Sequence, residues 1–138
     1  MIQAQADITV DTNGPGLYEF TDQVAAWVRA EPVDIGLLSL FIKHTSASLL
    51  IQENADPSVL QDVREFFAGL VPEAASYHHH SEGPDDMPAH IKAALTQTSI
   101  NIPVSAGEIA LGTWQGIYVF EHRRRPHRRT VTAHYVGN

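Results

Sequence analysis

Ser99-Ile100-Asn101-Ile102-Pro103-Val104, Glu108-Ile109-Ala110-Leu111 and Ile117-Tyr118-Val119-Phe120-Glu121-His122 follow one another across two turns, Ser105-Ala106-Gly107 and Gly112-Thr113-Trp114-Gln115-Gly116. Short runs rich in β-branched and aromatic residues, bounded by glycine-bearing turns, are the pattern of successive strands. Residues 128 to 136 supply one more run of the same kind. In the run ending at His122, alternation places Trp114, Tyr118, Phe120 and His122 on one face. Gly112 and Gly116 suit a bulge or a close approach of a ligand to the backbone.

Working back toward the N-terminus, strands give way to helices. Asp56-Pro57 is an N-cap followed by proline at the first helical position, and Val59, Leu60, Val63, Phe66, Phe67 and Leu70 recur at helical spacing until Pro72 ends them. Residues 34 to 43 are mostly apolar and suit a buried strand, with Leu38, Leu40, Ile42 and His44 on one face; residues 48 to 52 continue as a second. Phe20 to Ala30, with Val24, Trp27 and Val28 on one side, reads as a helix stopped before Pro32. Asn13-Gly14-Pro15-Gly16 is a turn, and residues 4 to 10 alternate as a half-buried strand. Three separated helices among strands joined by short turns give an α+β fold, an antiparallel or mixed β-sheet domain with about three helices, in a single domain over residues 1–138.

Reactive side chains concentrate in Tyr77-His78-His79-His80-Ser81-Glu82-Gly83-Pro84-Asp85-Asp86-Met87-Pro88-Ala89-His90. Asp86 or Met87 caps a third helix that Ile91-Lys92-Ala93-Ala94-Leu95 continues. Asp86 and His90, four apart, then share a helical face, and an imidazole from the loop can join them. Carboxylates at a helix start are often only caps, and a histidine run is often only a solvated loop. Their joint density is what points to a metal site or to acid–base chemistry.

The chain has no cysteine, so any metal must be held by imidazole and carboxylate. That leaves zinc as the most plausible ion and magnesium as the alternative. The net charge of −7 argues against nucleic acid as a partner, even though Arg123, Arg124, Arg125, Arg128 and Arg129 form a basic run; that run suits a local anion site or a solvated strand end. No apolar run reaches the roughly twenty residues of a membrane span, which argues against a membrane partner. The first residues lack the basic head and apolar core of a signal peptide, which suggests a cytoplasmic address.

Five motifs, in order and spacing, resemble the YjbQ-like family, also called secondary thiamine-phosphate synthase. They are His44-Thr45-Ser46-Ala47-Ser48-Leu49, Glu53-Asn54-Ala55-Asp56-Pro57, the block Glu82 to Lys92, Leu111-Gly112-Thr113-Trp114-Gln115-Gly116-Ile117, and Glu121-His122-Arg123. The resemblance implies an α+β homotrimer with a polar site lined by histidine and acidic residues. It also implies a weak transferase activity, joining a pyrimidine diphosphate to a thiazole phosphate with release of pyrophosphate.

Within the histidine run the family pattern matches His79, so His44, His79, His90 and His122 are the imidazoles at family positions. On this basis His44, His79 and His90 are the expected metal ligands. Glu82, Asp85, Asp86 and His122 are the expected catalytic groups, and Ser46, Ser48, Thr113 and Arg123 are expected to hold a small phosphorylated substrate. A metal-dependent hydrolase, or a metal- or anion-binding protein without turnover, are the alternatives.

Overall fold

A computed structural model describes all residues from 1 to 138. In chain order the elements are β1 (Ile2–Asn13), β2 (Gly16–Glu19), α1 (Thr21–Ala30), β3 (Gly36–Ile42), β4 (Ala47–Glu53), α2 (Pro57–Leu70), α3 (Asp86–Leu95), β5 (Ser99–Ser105), β6 (Glu108–Ile109), β7 (Gln115–Glu121) and β8 (Pro126–Gly137). The strands form two sheets, ordered β1-β8-β3-β5-β6 and β2-β7-β4, and every pairing is antiparallel. The expected α+β class with three helices is therefore the observed one. No helix is long and apolar enough to cross a membrane.

Two-residue alternation builds the large sheet. Leu38, Leu40 and Ile42 of β3, Ile100, Ile102 and Val104 of β5, and Val131, Ala133 and Tyr135 of β8 point to one side and are buried. They meet Leu49 of β4, Ile117 and Val119 of β7, and Phe20, Val24 and Val28 at α1 in one core cluster. Each such side chain contributes on the order of 1.5–3 kcal/mol by leaving water. β7 is buried on both faces, because its other face, with Tyr118 and Phe120, lies under α2, where Phe67 meets Phe120 edge-on at 5.4 Å.

The helix signals hold with small shifts. Asp56 caps α2, its carboxylate accepting from Ser58 N–H at 3.0 Å, with Pro57 opening the helix. At α3 the N-cap position falls to Asp85 rather than Asp86 or Met87, and Asp85 makes no side-chain cap bond. β2 leaves no signal in the sequence, because its four residues between a turn cluster and α1 are too few for a periodicity, and its partner β7 lies about a hundred residues downstream. At Gly116 the space a Cβ would need is taken by the protein's own Glu19, whose Oε2 would stand 2.7 Å from it.

The two sheets are joined by a buried ion pair. Glu121 ends β7 and Arg129 lies in β8, 0% and 3% exposed, with Arg129 Nε donating to Glu121 Oε1 at 2.7 Å. Thr12 of β1 donates to the same carboxylate at 2.5 Å, and Arg129 Nη2 donates to the Oγ and carbonyl of Ser46 just before β4. Burial opposes the charge on Glu121, but the hydrogen bonds from Arg129 and Thr12 outweigh it and hold its carboxyl below the usual range. Replacing one member strands the other charge in the core. Glu121→Gln or Arg129→Met is expected to lower stability by about 3–5 kcal/mol in urea unfolding, and the double replacement by less than the sum.

Candidate metal centre

α3 and the loop before it bring four groups together. Ligand atoms of His79, Glu82, Asp86 and His90 all lie within 4.8 Å of one another. Asp86 is at the centre, 2% exposed, in the first turn of α3. Its Oδ2 is 2.7 Å from His79 Nε2 and 3.1 Å from His90 Nε2, and Glu82 Oε2 is 3.3 Å from His79 Nε2. The helical repeat delivers His90 one turn after Asp86, as the four-residue spacing requires.

Asp86 is fixed from behind. Arg123, just after β7, donates from Nη1 to Asp86 Oδ1 at 2.6 Å, from Nε to Asp85 Oδ2 at 3.0 Å, and from Nη2 to the Glu82 carbonyl at 3.1 Å. Asp85 Oδ2 also accepts the Arg124 N–H at 2.9 Å. Burial would push both aspartates up, yet both carboxyls sit below the usual range. For Asp85 the opposing effects are the Arg124 N–H and the Arg123 side chain; for Asp86 they are the hydrogen bond from His79 and the charges of His90 and Arg123. Asp86 thus stays ionised and offers only Oδ2 to the cluster.

The tautomer of His90 gives the site its chemistry. His90 Nδ1–H donates to the Thr45 carbonyl at 2.9 Å, so in the neutral ring Nε2 carries the lone pair. That lone pair faces the ionised Asp86 Oδ2 at 3.1 Å, an acceptor against an acceptor. Only a cation between them, a proton or a metal ion, makes the contact favourable. The Asp86 hydrogen bond raises the pKa of His79, against its desolvation, so the carboxylate favours a cation at that imidazole.

The other expected site residues lie elsewhere. His44, beyond the end of β3, accepts the Thr130 N–H on Nε2 at 2.9 Å, which removes that lone pair from metal binding; burial and the nearby Arg129 lower its pKa. It stands outside the cluster as a structural histidine. Ser46 is bound by Arg129, and Ser48 Oγ is 2.9 Å from His122 Nε2. Arg123 spends its guanidinium on Asp85, Asp86 and Glu82. None of the three is turned toward a phosphate. Thr113 is exposed before β7, while Arg123 follows that strand, so the length of β7, about 20 Å at 3.3 Å per residue, separates them.

His122 is buried at 2% exposure and has no partner for Nδ1. Burial, aided by the positive charge of Lys92, pushes its pKa down to about 3. It is a neutral imidazole and no acid–base group near neutrality. Sequence reasoning missed the roles of Thr45, whose carbonyl orients His90, and of Arg124, whose N–H holds Asp85. Both act through the backbone, which residue type does not reveal.

The family described as UPF0047 protein YjbQ-like matches residues 6–138. The chain belongs to the YjbQ-like UPF0047 family. A UPF0047 protein of Synechocystis is 52% identical over 98% of this chain and 92% of its own, and the YjbQ protein of Escherichia coli is 42% identical over 96% and 97%. A crystal structure of an uncharacterized YjbQ/UPF0047 protein from Clostridium acetobutylicum superposes with a TM-score of 0.88 at 33% identity, covering 95% of this chain and 99% of that one. A Sulfolobus solfataricus protein shares the fold with a TM-score of 0.87 at 20% identity, covering 99% and 100%, and is described as of unknown function.

These relatives correct the functional expectation. They are named only as UPF0047 or YjbQ proteins, without a thiamine-phosphate-forming activity, so the transferase reading is set aside. The geometry agrees, since Ser46, Ser48 and Arg123 are engaged internally.

The depressed pKa of His122 has a consequence for acid stability. Between its unfolded value of about 6.5 and its folded value of about 3, the unfolded chain binds a proton that the native chain does not, so stability falls as pH drops through that window. At 1.36 kcal/mol per unit the loss approaches roughly 5 kcal/mol at the acid end. Urea unfolding at stepped pH should show this slope in the wild type and a shallower one in His122→Phe.

Proposed function

We propose that this protein binds one divalent metal ion, most plausibly zinc, through His79, Asp86 and His90. Glu82 is either the fourth ligand or the acceptor for a metal-bound water. The observation that carries this reading is the convergence of His79, Glu82, Asp86 and His90, whose ligand atoms lie within 4.8 Å of one another, with His90 Nε2 3.1 Å from the buried Asp86 Oδ2 while its Nδ1 is engaged by the Thr45 carbonyl. Ligands about 2.0–2.1 Å from a tetrahedral ion stand about 3.3 Å apart, and the two Asp86 contacts of 2.7 and 3.1 Å need only a small expansion, with all four ligand atoms within 4.8 Å of one another. Two imidazoles favour zinc over magnesium, which prefers an all-oxygen shell. The Thr45 carbonyl behind His90 and Arg123 behind Asp86 are the kind of outer partners that fix ligand orientation.

The side chains of His79 and Glu82 are 43% and 64% exposed, which leaves the metal an open side. There it takes water or an oxygen of a small phosphorylated molecule, held by the ion's charge in place of an arginine. A cytoplasmic setting belongs to the same reading. So does a homotrimer, supported by α2, which buries none of its residues in the single chain while Phe66 and Leu70 lie 56% and 55% exposed.

Elemental analysis after dialysis against trace zinc is expected to give about one ion per chain for the wild type and much less for His90→Ala and Asp86→Asn, consistent with three shared ligands. His44→Ala should keep the ion. A metal-free wild type, or full stoichiometry in His90→Ala, removes the metal centre. Because His79 must lose a proton to bind, affinity should fall as pH drops below its raised pKa. Light scattering at micromolar concentration should return three chain masses, and a monomer would remove the trimer.

A further inference from the structure

A cavity of about 480 Å³ opens beside the turn between β3 and β4, with Phe41, Lys43, His44, Thr45, Thr98 and Arg129 among its walls. No carboxylate lines it, although the chain has 16 acidic residues against 9 basic ones. The metal-centre residues do not line it either.

Two of its side chains meet donor against donor. The Thr130 N–H takes the lone pair of His44 Nε2 at 2.9 Å. A neutral imidazole has only that one to give, so Nδ1 carries the ring's hydrogen. Burial and the nearby Arg129 disfavour the charged ring, in which Nδ1 is a donor as well. Nδ1 lies 3.3 Å from Arg129 Nη1, and a guanidinium nitrogen only donates. Neither group accepts from the other.

The rest of the Arg129 guanidinium is engaged. Nε and Nη2 donate to the Glu121 carboxylate, and Nη2 also meets the carbonyl and Oγ of Ser46. Nη1 has no polar neighbour except His44 Nδ1, in a residue only 3% exposed. Buried donors in native proteins nearly always have an acceptor, and one oxygen about 2.9 Å from each nitrogen would serve both. The backbone N–H groups of His44, Thr45 and Ser46, between β3 and β4, make no hydrogen bond within the chain, and successive N–H groups in a turn are a common anion-binding concavity. At the mouth, Lys43 has only an exposed pairing with Asp7 at 3.6 Å, a kind that holds weakly.

We propose that this cavity binds a small oxyanion, a phosphate or carboxylate group, one oxygen of which accepts from both His44 Nδ1–H and Arg129 Nη1–H while Lys43 supplies the charge. Glu121 already meets the charge of Arg129 on its other edge. Lys43 is therefore what makes an anion preferable to an uncharged acceptor or a water molecule. The site is independent of the metal centre and leaves the Ser46 side chain on Arg129.

Inorganic phosphate and acetate are suitable probes, with acetamide as an acceptor without charge. Titration followed by calorimetry and by the His44 ring N–H resonance in NMR is expected to show saturable binding of phosphate, acetate or both with Kd on the order of 1 mM, the tighter probe identifying the group. Acetamide should bind at least about tenfold more weakly. Lys43→Glu, a change at an exposed position, should weaken the anion by about tenfold or more, and Thr98→Trp, which narrows the cavity and keeps every charge, should do the same. Unfolding curves matching the wild type show that both variants are folded. Arg125→Gln, which removes an exposed cation outside the cavity, and His79→Ala, which breaks the histidine cluster, should both bind as the wild type does. No saturable binding of either anion would leave water as the occupant and overturn the proposal. Acetamide binding as tightly as the anions, a His44 resonance unmoved at saturation, or binding unchanged in folded Lys43→Glu or Thr98→Trp would each overturn it too. A loss in Arg125→Gln as large as in Lys43→Glu would show diffuse surface attraction, and a loss in His79→Ala would place the anion at the histidine cluster; both overturn it equally.

Discussion

The buried pair between Glu121 and Arg129 is the constraint from which the rest of the molecule hangs. A carboxylate at 0% exposure is tolerated only where its charge is met, and here a guanidinium, a threonine hydroxyl and two backbone N–H groups meet it. Those partners come from β8, β1 and the end of β7. Satisfying one carboxylate therefore locks the large sheet to the small one at a single relative position. The apolar core drives the two sheets together, but apolar contact is not directional, and the ion pair supplies the register.

From that anchor a chain of polar contacts runs outward to the cluster. Glu121 Oε2 accepts the N–H of Arg123 at 3.1 Å, which sets where the Arg123 side chain begins. The guanidinium then bridges Asp85 and Asp86, and Asp86 presents its remaining oxygen to His79 and His90. Each link is ionised on at least one side, and such bonds are shorter and stronger than neutral ones. A site on a loop and a helix start is thereby tied to the core through one arginine. The same economy helps the chain place three carboxylates near one another: Arg123 pairs with both Asp85 and Asp86 and offsets part of their charge.

Four imidazoles in equivalent-looking motifs have different fates, and hydrogen bonding decides each. His79 and His90 face an ionised carboxylate. His44 gives its Nε2 lone pair to a strand N–H, so a residue that shares the chemistry of a ligand serves as backbone support. His122 is desolvated so fully that its charged form is excluded near neutral pH. The basic run after β7 divides similarly. Arg123 and Arg129 turn inward as structural cations, Arg124 pairs with Glu73, and Arg128 meets Asp11 on the exposed edge of the sheet. Neither an anion site nor a solvated strand end describes the run as a whole.

The amino-acid sequence by itself determined the α+β class, because strand alternation, the Asp56-Pro57 helix start and the short glycine turns are local signals written in neighbouring residues. It also determined that Asp86 and His90 share a face, since four residues make about one helical turn whatever surrounds it. The five motifs that carry the family resemblance were equally legible. The division into two sheets was decided by tertiary structure, as was the small strand Gly16–Glu19, because pairing partners about a hundred residues apart leave no mark in either segment. Which histidines converge was decided there too. Residue type states what an imidazole can do, but its burial and the partner on its second nitrogen state what it does, and both are set only when distant strands and loops close around it.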